Sequence, residues 1–199
     1  MPRIKAAGAA VPTAAATTVN VYQLKITLHD IKPPIWRRAL VPGDFTLYKL
    51  HQVIQAVFGW AGYHLYEFEI GRVSYGEPDP DGMLEAKNAK RYRLGQMVGG
   101  EGAKFRYTYD FGDNWEHDIL VEKVAPPEPG VKYPRCVAGK RACPPDDCGG
   151  PWGYPDLLAA ISDPEHPEHD EMLEWVGGEF DPEAFDVTKA DAELDGLRK

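Results

Sequence analysis

Between residues 105 and 121 the side chains alternate in polarity on both sides of one short turn, and no other stretch limits the possible folds so tightly. Phe105, Tyr107 and Tyr109 alternate with Arg106, Thr108 and Asp110, the period of a strand with one buried face. Gly112, Asp113 and Asn114 then supply turn chemistry: Gly accepts positive φ, and Asx side chains bond nearby backbone. The chain returns with Trp115, His117, Ile119 and Val121 on one face and Glu116, Asp118 and Glu122 on the other. This pattern predicts a β-hairpin with His117 pointing into the apolar set. Such an inward histidine is read first as a hydrogen-bonded core residue, with ligand or general base as the sharper alternative.

The same periodicity places the other elements. Tyr22, Leu24, Ile26 and Leu28 mark a half-buried strand, and Pro33-Pro34 a turn before a returning strand over Ile35 to Val41. Thr46 is a plausible cap for a helix carrying Leu47, Leu50, Ile54, Val57 and Phe58, ended by Gly59, with His51 bordering its buried face. His64, Tyr66, Phe68 and Ile70 form a strand pattern whose inward side includes a second histidine. A loop follows over Gly76 to Gly82, and a short strand is expected around Tyr92 and Leu94. Prolines then interrupt the chain, and Cys136 to Trp152 reads as rigid, irregular backbone. Pro155 marks a helix start, short helices are expected over His169 to Val176 and from Thr188 to about Leu197, and Asp181-Pro182-Glu183 signals the start of a turn holding Ala184 and Phe185.

Strands first and helices clustered last make the fold class α+β: a mixed or antiparallel sheet with one early helix and a group of short C-terminal helices. A chain of 199 residues can bury one substantial core. We divide it into a disordered tail, residues 1–18, and a single domain, residues 19–199. The tail has Arg3 and Lys5 but lacks a Leu-rich secretory core and contains Pro12. No run approaches the roughly 18 apolar residues of a membrane span. Three cysteines, all between Cys136 and Cys148, do not make a disulfide framework, so a cytoplasmic location is expected.

Charge is unevenly spread. The net charge is −9, yet residues 163–199 hold 13 acids against Lys189, Arg198 and Lys199. That acidic helical region is read as a solvated face, with a surface that docks a basic partner or mimics nucleic acid as the alternative. The chain therefore lacks the electrostatic footprint of a nucleic-acid binder.

Five motifs occur in order: Ile31-Lys-Pro-Pro-Ile-Trp-Arg-Arg38; Leu50-His51 with Gly59-Trp60 and His64-Leu-Tyr-Glu-Phe68; Tyr109-Asp-Phe-Gly-Asp-Asn-Trp-Glu-His117; Cys143-Pro-Pro-Asp-Asp-Cys-Gly-Gly150; and Phe180-Asp-Pro-Glu183. Together they resemble the plasmid pRiA4b ORF-3-like family over roughly residues 20 to 187. The resemblance implies a compact, roll-like α+β domain associated with plasmids and insertion elements. It implies no established activity and no agreed ligand. Asp146 stands where the family pattern commonly has Glu.

Three chemistries follow from the residues. A binding module would use Trp36, Arg37, Arg38, His64, Trp115 and Trp152, since rigid aromatics and arginines anchor recognition surfaces. Trp60 belongs to the same aromatic supply, although Trp115 and Trp152 also read as half-buried packing residues. Its partner is either a protein or the nucleic acid of a mobile element. A metal site would draw on Cys136, Cys143, Cys148, His64 and His117, with His51 as a further nitrogen donor and zinc as the candidate ion, though the cysteine spacing is not that of a zinc knuckle. A metal-dependent hydrolase or nuclease would use Asp110, Asp113, Glu116 and His117, with Arg37 or Arg38 clamping an anion. Backbone capping explains Asp110 and Asp113 equally well. The expected reading is a non-catalytic binding or accessory module, with the hydrolase as its alternative.

Overall fold

The computed structural model of the protein describes residues 19–78 and 86–198. The expected disordered tail and most of the loop following Gly76 lie outside those residues.

The elements run in the order the alternating patterns demand. Strand β1 (Val21–Leu28) leads through the double proline into β2 (Trp36–Pro42), then helix α1 (Leu47–Phe58), β3 (Tyr66–Ile70) and β4 (Val73–Gly76). A two-residue strand β5 (Lys87–Asn88), a 3₁₀ turn and the one-turn helix α2 (Leu94–Met97) come next. The hairpin β6 (Lys104–Tyr109) and β7 (Trp115–Ala125) is followed by β8 (Arg135–Lys140) and helices α3 (Gly150–Ser162), α4 (His169–Trp175) and α5 (Val187–Ala192).

Among the described residues the strands form one sheet, in the order β5-β4-β3-β6-β7-β1-β2-β8. Every pairing is antiparallel except β4 with β5. The fold is therefore a single α+β domain with a mixed sheet. Register fixes which side chains meet: Tyr107 lies opposite His117, and Tyr109 is opposite both Trp115 on β7 and Tyr66 on β3. Because side chains alternate across a strand, one face collects Leu24, Ile26, Phe68, Tyr107, Trp115 and Val121, all buried. The other face is ionic. Arg38 donates to both Glu122 oxygens at 2.6 and 2.8 Å, and Arg106 reaches Glu116 at 3.3 Å.

Helix α1 covers the apolar face. Thr46 is its cap, the hydroxyl accepting from the Lys49 amide at 3.2 Å, and Gly59 ends it at φ 92, a left-handed turn that glycine enters without steric cost. Between them Leu47, Leu50, Val53, Ile54, Val57 and Phe58 are all buried. Each contributes about 1.5–3 kcal/mol of transfer free energy, so Ile54→Ala alone would cost about 2–5 kcal/mol. Tyr154 and Leu157 of α3, Ala190 of α5 and Leu194 join the same core.

Several expectations give way to the structure. The hairpin turn places Asp110 and Asn114, not Gly112, at positive φ (56 and 55). Gly112 serves otherwise, its amide donating to Asp110 Oδ1 at 2.9 Å. Residues 92–94 are not a strand of the sheet, because Leu94 opens α2 and Arg93 makes only an isolated bridge to Thr46. Cys136 does not sit in irregular backbone, since β8 pairs it with Ala39. Helix α3 begins at Gly150, with Pro151 in its first turn and Pro155 inside it. The last helix is capped by Asp186, which accepts from the amides of Thr188 and Lys189. His64 lies at a bend before β3 and not in the strand.

Candidate metal centre

The hairpin tip is docked onto the segment that follows β8. Asp113 Oδ2 accepts from the Gly149 amide at 3.2 Å. At Gly150 a Cβ would lie 2.1 Å from the Asp113 carbonyl oxygen, so glycine alone permits that approach. The docking carries Asp147 (φ 62) to His64. On the other side the Asp110 amide donates to Leu65 O at 2.9 Å, which pins the end of β6 to the bend holding His64.

Three side chains from three segments converge there. His64 Nε2 lies 3.4 Å from Asp147 Oδ1 and 3.8 Å from Asp110 Oδ2. One ligand atom from each of His64, Asp110 and Asp147 lies within 4.8 Å of the others, and this is the one such group of three among the described residues. Asp110 is nearly enclosed, its side chain 11% exposed, whereas Asp147 is open at 71%. Two further polar groups stand beside the triad. Asp146 has a buried Oδ1 without a hydrogen-bond partner, and burial pushes its carboxyl above the usual range. The Tyr109 hydroxyl is likewise buried without a hydrogen-bond partner, and burial, with the Asp146 charge behind it, pushes it up to about 12. The Tyr109 ring meets His64 edge-on at 5.7 Å.

The other residues singled out by the sequence lie elsewhere. Asp113 is occupied at Gly149, and Glu116 faces Arg106 on the ionic side of the sheet. His117 is fully buried away from the triad, against Phe58 at 4.9 Å and Trp60 at 5.4 Å. Its desolvation holds the imidazole down at about 3. His51 is also buried, held down to about 4, and bonded to the Tyr107 hydroxyl at 2.8 Å. Trp36 is stacked on the outer face beneath Arg38 and Lys25. Trp115 is fully buried and Trp152, on the first turn of α3, is 83% exposed, so neither is half-buried. Trp60 is buried and donates Nε1–H to Pro144 O at 3.0 Å.

The cysteines are free thiols that form no group with the histidines. Burial pushes Cys136 up to about 11, Cys148 up to about 12 and Cys143 well upward, so the metal-free thiols are protonated at neutral pH.

Asp147 went unnoticed in the sequence because an acid following Pro-Pro reads as a turn former. The doubled carboxylate Asp146-Asp147 was the signal available. No periodicity could show that this loop reaches His64, since the link runs through the Gly150 approach to Asp113.

The chain is similar to other proteins in sequence and in fold. This chain is 41% identical over 180 residues to "Uncharacterized protein y4hQ" of Sinorhizobium fredii, covering 89% of this chain and 92% of that one. A crystal structure of a protein of unknown function, MM3350 from Methanosarcina mazei Go1, superimposes with a TM-score of 0.76 at 40% identity, covering 86% of this chain and 98% of that one. Residues 20–189 match the family described as plasmid pRiA4b ORF-3-like protein, and the chain belongs to that family.

Proposed function

We propose that this protein is a binding module whose ligand site is the His64, Asp110 and Asp147 triad holding one divalent transition ion. The carrying observation is the convergence of three donor atoms within 4.8 Å. One imidazole nitrogen and two carboxylate oxygens suit a borderline ion such as zinc or manganese better than calcium, which prefers an all-oxygen shell. Residues adjacent in sequence to triad members expose apolar side chains: Tyr63 at 84%, Leu65 at 51% and Phe111 at 42% exposure. Exposed aromatic and aliphatic groups around a charged centre suit a protein partner. Asp146 beside the triad adds a further acid to its two carboxylates, and negative charge repels a phosphate backbone, so we favour a protein over a nucleic acid.

Titration of chelator-treated protein with zinc or manganese by calorimetry tests this reading. One equivalent should bind, and His64→Ala should weaken it at least tenfold. Equal binding by the variant would overturn the assignment. One observation supports a hydrolytic role for the same centre: three protein donors leave positions on a four- to six-coordinate ion where water could be activated. Metal-dependent turnover abolished by Asp110→Asn would distinguish it.

A further inference from the structure

A second site, independent of the triad, is built around Arg37. This side chain points to the apolar side of the sheet and is 2% exposed. Its Nε–H donates to Val57 O at 2.8 Å, at the C-terminal end of α1, and Nη1 donates to Trp36 O at 2.9 Å and Lys140 O at 3.1 Å. Those three bonds use three of the five guanidinium donors. The two N–H groups of Nη2 have no partner among the described residues.

The guanidinium also lacks a counter-ion, since no carboxylate of the described residues lies within ion-pairing distance of it. It lies over two aromatic rings, 4.2 Å from the centroid of Phe185 and 5.0 Å from that of Phe58. The Phe185 contact depends on Gly139, where a Cβ would lie 2.5 Å from the Phe185 ring and 2.9 Å from Arg37 Cδ. Burying an unpaired cation is costly, and carbonyl dipoles and aromatic faces offset that cost only in part. A packing role alone is met more cheaply by an apolar side chain.

Arg37 forms part of the floor of a cleft of about 580 Å³ between the end of α1 and α5. Lys189 stands on its wall as a second cation. Of the two acids there, Asp186 is occupied capping α5 and Glu193 is exposed. We propose that this cleft binds a small oxyanion, the carboxylate or phosphate of a ligand, end-on at Arg37 Nη2 with Lys189 as auxiliary charge. With Nε and Nη1 occupied by carbonyls, Nη2 is the donor left for the anion. The Phe58, Trp60 and Phe185 rings would enclose an apolar body attached to the anion.

The test is titration of the full chain with benzoate and, separately, inorganic phosphate in chloride-free zwitterionic buffer, followed by calorimetry and by the NMR resonances of Arg37 Nε–H and Trp60 Nε1–H. Saturable one-site binding that shifts the Arg37 resonance is expected, with Lys189→Glu weakening it at least threefold and Arg37→Met abolishing it. Benzoate binding alone identifies a carboxylate ligand with an apolar body, and phosphate binding alone a phosphate ligand. Lys189 is exposed, so its variant keeps the test valid if Arg37→Met does not fold. Absence of saturable binding in both arms overturns the proposal. So does binding that leaves the Arg37 resonance unmoved or is indifferent to Lys189→Glu.

Discussion

His117 Nδ1–H donates to the carbonyl of Trp115, two residues earlier on the same strand, at 3.0 Å. A carbonyl can only accept, so the bond fixes the tautomer and leaves Nε2 as a bare acceptor, buried without a partner among aromatic rings. The ring is therefore committed to its neutral form.

That commitment makes the fold acid-sensitive. Burial holds His117 at about 3 and His51 at about 4, both below the ordinary 6.5. Between these values the unfolded chain binds protons that the folded chain refuses, so this stability is complete above pH 6.5 and is lost as pH falls toward 3 to 4. Glu122, lowered chiefly by its hydrogen bond from Arg38, adds stability that is lost as pH falls below the ordinary carboxylate value of 4.5. Urea midpoints should fall steadily from pH 7 to pH 4, and His117→Leu should remove about half of that slope.

Tyr107 sits at the junction of a buried polar network. Its hydroxyl accepts from Gln55 Nε2 at 2.9 Å and is bonded to His51 Nδ1 at 2.8 Å. Tyr107→Phe would strand both partners in the core and should cost about 1–3 kcal/mol in urea unfolding.

Gly150 should control the metal centre without being a ligand. At φ 67, with the Asp113 carbonyl where a Cβ would go, Gly150→Ala costs about 1–3 kcal/mol in backbone strain. It must also push the hairpin tip and the Asp147 loop apart. Calorimetry should show divalent-ion affinity falling at least tenfold with all three ligands intact.

Asp191 clasps α5 to β8. Its Oδ1 accepts from the Cys136 amide at 2.8 Å, while Oδ2 meets Arg198 at 2.7 Å and Arg135 at 3.3 Å. Burial alone would raise its pKa, but these bonds outweigh it and the carboxylate is held low. Asp191→Ala should cost about 1–3 kcal/mol and accelerate hydrogen exchange at Cys136.

The hairpin, β1, β2 and α1 were legible because each buries one face and shows its period directly, and because Thr46 and Gly59 punctuate the helix. Strand β8 was not, because in Arg135–Lys140 only Cys136 is buried and its pairing is supplied by β2 from a distance of about a hundred residues. Pro155 misplaced the start of α3, since Pro151 already occupies the first turn. Asp110 belonged to the candidate set from the outset and remains, joined by His64. Asp113, Glu116 and His117 separated from it because alternation and turn docking send them to a loop amide, the ionic face and the core. The doubled carboxylate marked Asp147, but only tertiary contact brings it to His64.

The clasp at Asp191 also bears on how the molecule behaves in a crowded solution. Strand β8 is the last in the sheet, and such a margin ordinarily offers unpaired amides to any neighbouring chain. Here the Cys136 amide is taken by a carboxylate, and Ala142, just beyond the strand, donates to Pro182 O at 3.1 Å. The acidic C-terminal region thus occupies two amides, in and just beyond the edge strand, that an added strand would compete for.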